Sequence, residues 1–161
     1  MTHILDNPIW NALLTGNKHL AFGSEQAKYL KREVGFFAGL KTNSTSDLSQ
    51  LQALVPVETL IVLFTPNELS LPAGWRLDLK KEIIQMVYQQ PESTYGAENE
   101  IAALQEKDIP AMLALTALTK PGPFLSRTIE FGNYEGIFKG NSLVAMAGQR
   151  LQPDPYTEIS A

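Results

Sequence analysis

The chain has two histidines, His3 and His19, and no cysteine, which leaves little material for metal or thiol chemistry. Neither histidine stands at a spacing that would put it with carboxylates on one helical face, so no metal is expected. No Gly-x-Ser-x-Gly elbow is present to carry an activated serine. The repeated glycines that cradle phosphates before a helix are missing as well; Gly132, Gly136 and Gly140 fall in or beside expected strands, where turns and bulges use them. Lys80-Lys81 reads as a solvated pair. What remains for chemistry is a scattered set: Glu158 between Thr157 and Ile159, Arg127 after the turn Pro121-Gly122-Pro123, and the aromatics Phe124 and Tyr134.

Charge narrows the partners. The net charge of −4 argues against a large phosphate-tracking surface, so nucleic acid is not expected. No apolar run approaches the roughly 20 residues of a membrane helix. The first ten residues lack a basic region followed by an apolar core. The reading is therefore a soluble, unprocessed, cytoplasmic chain without a membrane partner. At 161 residues and 44% hydrophobic, the chain suits one ordinary domain or two small halves sharing a core. The whole negative excess lies after residue 90, and the stretch Gln89-Gln90-Pro91-Glu92-Ser93 is polar with a helix-stopping proline. These features place an N-terminal mixed subdomain over 1–92 and a second unit over 93–161; a plain surface loop explains the stretch almost as well.

The elements that must position these groups follow from pattern. Asn7 before Pro8 offers a capping side chain and a pre-set first turn, with Ile9, Trp10, Leu13 and Leu14 on one face. Ser24 is read as the cap of a second helix over 24–31, and Leu48, Leu51 and Leu54 are spaced for a third over 47–54. The apolar run within 58–64, bounded by Pro56 and Pro66, suits a strand covered on both faces. Trp75, Leu77 and Leu79 alternate with polar residues as in a half-buried strand, and 83–88 is read as another. Both tryptophans, Trp10 and Trp75, are read as packing residues. Asp108 can cap a helix carrying Ile109, Met112, Leu113 and Leu115 or Leu118, with Lys120 at its negative end. Residues 124–131 read as a further helix closing at Gly132. A β-hairpin follows, with strands over 134–138 and 143–151, and 157–161 begins another strand.

That order, strand, helix, Pro-Gly turn, helix, hairpin and strand, resembles the opening half of the GNAT superfamily of acyl-CoA-dependent N-acyltransferases, and its glycine N-acyltransferase-like branch most of all. Tyr134-Glu135-Gly136-Ile137-Phe138 and Asn141-Ser142-Leu143-Val144-Ala145-Met146-Ala147-Gly148-Gln149-Arg150 look like the family's second and third strands. Tyr156-Thr157-Glu158-Ile159-Ser160-Ala161 looks like its fourth. The first ninety residues resemble, less closely, an N-terminal region that some members carry. The implied fold class is α+β: a mixed α/β subdomain followed by the first half of a GNAT-like mixed sheet with flanking helices. Family members follow the fourth strand with a Gly-rich loop and a helix that hold the coenzyme A pyrophosphate. The sequence ends at Ala161 before any such loop, so the resemblance implies a truncated or incomplete form.

The resemblance further implies transfer of an acyl group from acetyl-CoA or another acyl-CoA to an amine, a small molecule or a peptide N-terminus, with no metal. An ammonium cannot attack a thioester, and the resemblance gives Glu158 the task of deprotonating it, directly or through water. A solvated glutamate on the open face of a sheet is the competing reading. Ile159, Ser160 and Ala161 would offer backbone groups to the thioester carbonyl and the pantetheine arm, or form an ordinary strand. Residues 121–128 would form an acceptor loop, with Phe124 as an apolar wall and Arg127 as a carboxylate or phosphate contact. Tyr134 would line the cleft or pack in the core. The competing function is a non-catalytic interaction or ligand-binding module. An open strand edge over 156–161 invites pairing, and a homodimer would cover it.

Overall fold

The computed structural model describes residues 3–89 and 100–160. Three short strands, β1 (Ala21–Gly23), β2 (Ala27–Leu30) and β3 (Ala38–Leu40), form an antiparallel sheet in that order. Helix α1 (Pro8–Leu14) lies on one face, so close to β3 that a Cβ on Gly39 would stand 2.5 Å from the Trp10 Cα. Only a residue without a side chain permits that approach. Helix α2 (Thr45–Leu54) covers the other face, packing Leu48 and Leu51 against Ala27, Ala38 and Leu40. The Asn7 side chain does not cap α1; its amide donates instead to the Leu40 carbonyl at 2.7 Å, tying the helix start to β3.

The second sheet has the order β4 (Ile101–Ala103), β5 (Glu135–Lys139), β6 (Ser142–Gln149), β7 (Ile159–Ser160), antiparallel throughout. Gly140, at φ 58°, closes the β5–β6 hairpin, and the register slips once between Ile137 and Phe138. Helix α3 (Ile109–Thr119) packs against β6, burying Met112 and Thr116 while Leu118 stays 81% exposed. Asp108 precedes α3 but its carboxylate accepts from the Gln105 N–H at 2.9 Å instead of capping the first turn. One apolar cluster joins the two sheets, taking Ile9, Leu13, Leu30 and Val34 from the first and Met112, Phe131, Tyr134 and Leu151 from the second. The expected boundary near residue 92 lies outside the described residues.

Several expected elements take another form. Residues 24–31 hold no helix: the Ser24 hydroxyl accepts from the N–H groups of Gln26 and Ala27, both at 3.2 Å, and turns the chain into β2. The two-sided burial of β2, Ala27 toward α2 and Leu30 toward α1, needs an extended backbone. Over 58–64 there is no ladder, only a single parallel bridge in which Val62 exchanges hydrogen bonds with Phe36 and Ala38. Residues 75–79 and 83–88 form no strand, and Leu77, Ile84 and Met86 are exposed. β-rich composition makes a strand only where a neighbouring edge is there to pair with. In 124–131 just Thr128–Phe131 coils, as a 3-10 turn. The Thr128 hydroxyl accepts from the Leu125 N–H and donates to the buried Val34 carbonyl, a side-chain alternative to helical bonding.

Candidate functional site

The β6–β7 register sets Gly148 opposite Ser160 and Gln149 opposite Ile159, and backbone bonds continue it one step further. Arg150 N–H donates to the Glu158 carbonyl at 2.9 Å, and Glu158 N–H to the Leu151 carbonyl at 2.8 Å. Glu158 thus faces two residues of the neighbouring segment, Arg150 and Leu151, as at a bulge. The side chains of Arg150 and Glu158 form a forked pair: Arg150 Nε donates to Glu158 Oε2 at 3.0 Å, and Nη2 donates to Oε1. Beyond Gln149 the chain turns through Pro153, whose carbonyl accepts from Tyr156 N–H at 2.9 Å. The turn is moored to the end of α1, where Asn17 Oδ1 accepts from Gln152 N–H at 2.8 Å and Gly16 N–H donates to the Gln152 carbonyl at 3.1 Å.

Beside this pair, the Tyr134 ring lies on Gly148, so near that any Cβ there would collide with it. Burial pushes the Tyr134 phenol up, with Arg150 pulling it down and Glu158 raising it again. The phenol therefore stays protonated at neutral pH. Phe124 packs edge-on against Tyr134, with centroids 5.8 Å apart. On its other side Phe124 borders an open hollow with Leu113, Thr116, Ala117, Lys120 and Pro123. The chain thus brings Glu158, Tyr134 and Phe124 into one neighbourhood.

Arg127 stands apart from them. Its guanidinium pairs with Glu130 three residues on, and its N–H donates to the Glu33 carbonyl at 3.1 Å. Ile159 points outward, 67% exposed, while Ser160 is half-buried. Among the described residues β7 has a strand partner on one side only, so its outer edge can offer backbone donors and acceptors to a ligand. Ala161 lies outside the described residues. Among them, no group of acidic, histidine or cysteine side chains is arranged to hold a metal ion, and no helix is long and apolar enough to cross a membrane.

The sequence did not single out Arg150, the partner of Glu158, or Phe37, whose ring lies under its guanidinium. The signal for Arg150 was available. A basic and an acidic residue eight apart, flanking Pro153 and Pro155, become cross-strand partners once that segment turns back on itself. Phe37 carried no such signal, because only the tertiary fold brings it there.

An antiparallel four-stranded sheet covered by α3 and joined to a smaller helix-flanked sheet makes this an α+β protein with a GNAT-like fold. The chain is similar to a protein of known crystal structure from Novosphingobium aromaticivorans, assigned as an acetyltransferase from the GNAT family. The two share 29% identity at a TM-score of 0.81, over 99% of this chain and 70% of that one. No protein-family model matches the sequence, and no curated protein does.

Proposed function

We propose that the chain is an acyltransferase that moves an acetyl or other acyl group from acyl-CoA to an amine. The observation that carries this reading is the joint likeness of fold and sequence to a GNAT-family acetyltransferase along 99% of the chain. The step needs no enzyme-bound intermediate. Glu158 takes a proton from the acceptor ammonium, and the free amine forms a bond to the thioester carbonyl carbon. As the C–S bond breaks, the new amide nitrogen gives up its second proton, the coenzyme A thiolate takes it, and coenzyme A leaves as the thiol. Support comes from the placing of Glu158: a carboxylate held at a sheet edge, with a third of its side-chain surface open. Ile159 and Ser160, on the free edge of β7, are proposed to offer backbone donors to the carbonyl and the pantetheine arm. Phe124 and Tyr134 are assigned to the acceptor side; Arg127, which stands apart and is paired with Glu130, is proposed to meet an acceptor carboxylate by leaving that partner.

Calorimetric titration of acetyl-CoA, with free coenzyme A as comparison, tests the reading first. Saturable binding followed by thiol release in the presence of an amine upholds it; absence of both defeats it. The same free edge of β7 favours a second reading, a binding module that dimerises by strand pairing. Light scattering separates the two, since that module is dimeric and does not release thiol from acetyl-CoA.

A further inference from the structure

Resting on the reading of Glu158 as the base, we infer that Arg150 is a positioning residue for that carboxylate, and that Phe37 of the first sheet region holds Arg150 in place. Both Glu158 oxygens are engaged by one guanidinium, through Nε and Nη2. A fork of this kind fixes the plane of a carboxylate, which a lysine ammonium cannot do. The guanidinium carbon lies 5.1 Å from the centroid of the Phe37 ring, within cation–π range. Phe37 is itself wedged edge-on between Phe64, at 5.6 Å, and Phe131, at 6.4 Å. Its carbonyl accepts from the Leu30 N–H at 3.0 Å, so the ring's backbone is tied to β2.

The contacts form one line: a braced aromatic platform, a guanidinium resting on it, and a carboxylate in the fork. The side chains of Arg150 and Glu158 keep 30% and 33% of their surface exposed, and a pair that open to water adds little to fold stability. Its service is orientation. A base must meet the departing proton within hydrogen-bond reach, and a misaligned one loses rate although every group is present. The first ninety residues would thereby supply part of the site's geometry without touching substrate.

The test measures thiol release from acetyl-CoA with leucinamide or polylysine as the probe amine, after circular dichroism confirms that each variant folds. Arg150→Lys keeps the charge and loses the fork, and should lower kcat about tenfold with KM for acetyl-CoA unchanged. Phe37→Leu should lower kcat about threefold in the same way, while Phe37→Trp, which restores a π face, recovers it. A readout free of turnover is the Tyr134 phenol, followed by tyrosinate absorbance with Tyr134→Phe as the blank: Arg150→Gln should move its titration upward. Wild-type kcat in Arg150→Lys or Phe37→Leu overturns the inference and leaves the acyltransferase reading standing. A Tyr134 titration indifferent to Arg150→Gln means that the guanidinium does not stay beside Tyr134 and Glu158, and overturns its positioning role. A wild-type chain that neither binds acetyl-CoA nor releases thiol overturns the acyltransferase reading, and this inference with it.

Discussion

Two carboxylates, one in each sheet region, are held by their neighbours in opposite ways. Asp47 is buried at the start of α2, where Oδ2 accepts from both the N–H and the hydroxyl of Thr42 at 2.7 Å. Its own N–H donates to Ser44 Oγ, the cap of the same helix, at 3.1 Å. Burial opposes the Asp47 charge, but the hydrogen bonds from Thr42 and Ser44 outweigh it and hold the carboxyl below its ordinary value. Glu158 has no such local nest. Its partner comes from another strand, and a third of its side-chain surface stays open. Asp47 is used up in ordering a turn, whereas Glu158 is aimed and left reachable. A buried carboxylate held by its own turn serves the fold, while a half-exposed one held in a fork keeps surface that a substrate could reach.

The contrast breaks most visibly at Glu158. Glu158→Gln keeps size and hydrogen-bonding capacity but cannot take a proton, so thiol release from acetyl-CoA should fall by about 10²–10⁴-fold. Thermal stability should stay within about 1 kcal/mol of wild type, because the pair is half open to water. A rate that survives the substitution removes Glu158 from the chemistry. Next in size comes the surface beneath Tyr134. Gly148→Ala puts a methyl group into the Tyr134 ring, an overpacked contact that should cost about 1–3 kcal/mol of stability in urea unfolding. Gly140→Ala, where a Cβ meets nothing within 4 Å, serves as a contrast that carries backbone strain without a clash.

Legibility divides along the same line between the regions. The β5–β6 hairpin was readable because its partners are close in sequence and its turn carries Gly140-Asn141. α1 and α3 were readable from their spacing and from Asn7-Pro8 and Asp108 at their starts, and α2 from the spacing of Leu48, Leu51 and Leu54, though not its cap at Ser44. Residues 24–31 were not: Ser24 can open a helix or a turn with the same hydroxyl, and the choice falls to the partners of β2, Phe22 on one side and Leu40 on the other. The apolar stretches over 58–64 and 75–88 deceived for a related reason, since β-branched residues describe a surface that suits pairing without supplying the edge. At the candidate site, the reading of Glu158 rests on alternation and resemblance, and its role as base belongs to the proposal. The platform under Arg150 was not legible, because Phe37 and Arg150 are more than a hundred residues apart and meet only in the folded chain.

Asp47 gives the complementary prediction, and its sign can be worked out. A folded-state value below the unfolded one adds stability that is present above the unfolded value and lost as pH falls through the folded value. Asp47→Asn should therefore cost about 1–2 kcal/mol at neutral pH. The difference from wild type should shrink as the pH falls below the ordinary carboxyl value of about 4 and vanish through the lowered folded value, where the wild-type carboxyl becomes neutral too. Urea unfolding of both proteins across that range is the measurement. An equal cost at both ends would mean that shape, not charge, accounts for the Asp47 turn.

The smallest effect belongs to Arg127, and it sharpens the contrast from a third position. Its guanidinium is exposed and already paired with Glu130, whose other oxygen lies 3.9 Å from Lys31 Nζ. Such a surface pair adds at most a few tenths of a kcal/mol, so Arg127→Ala should leave unfolding almost unchanged. If Arg127 leaves Glu130 to meet an acceptor carboxylate, the variant should raise KM for leucine about fivefold and leave KM for leucinamide alone, a loss of one screened charge pair. Equal KM changes for the two acceptors, or none for either, would confine Arg127 to its partner Glu130. The acceptor side of the site would then rest on Phe124 and Tyr134, which offer apolar wall but no charge, and the preferred amines would be those without a carboxylate.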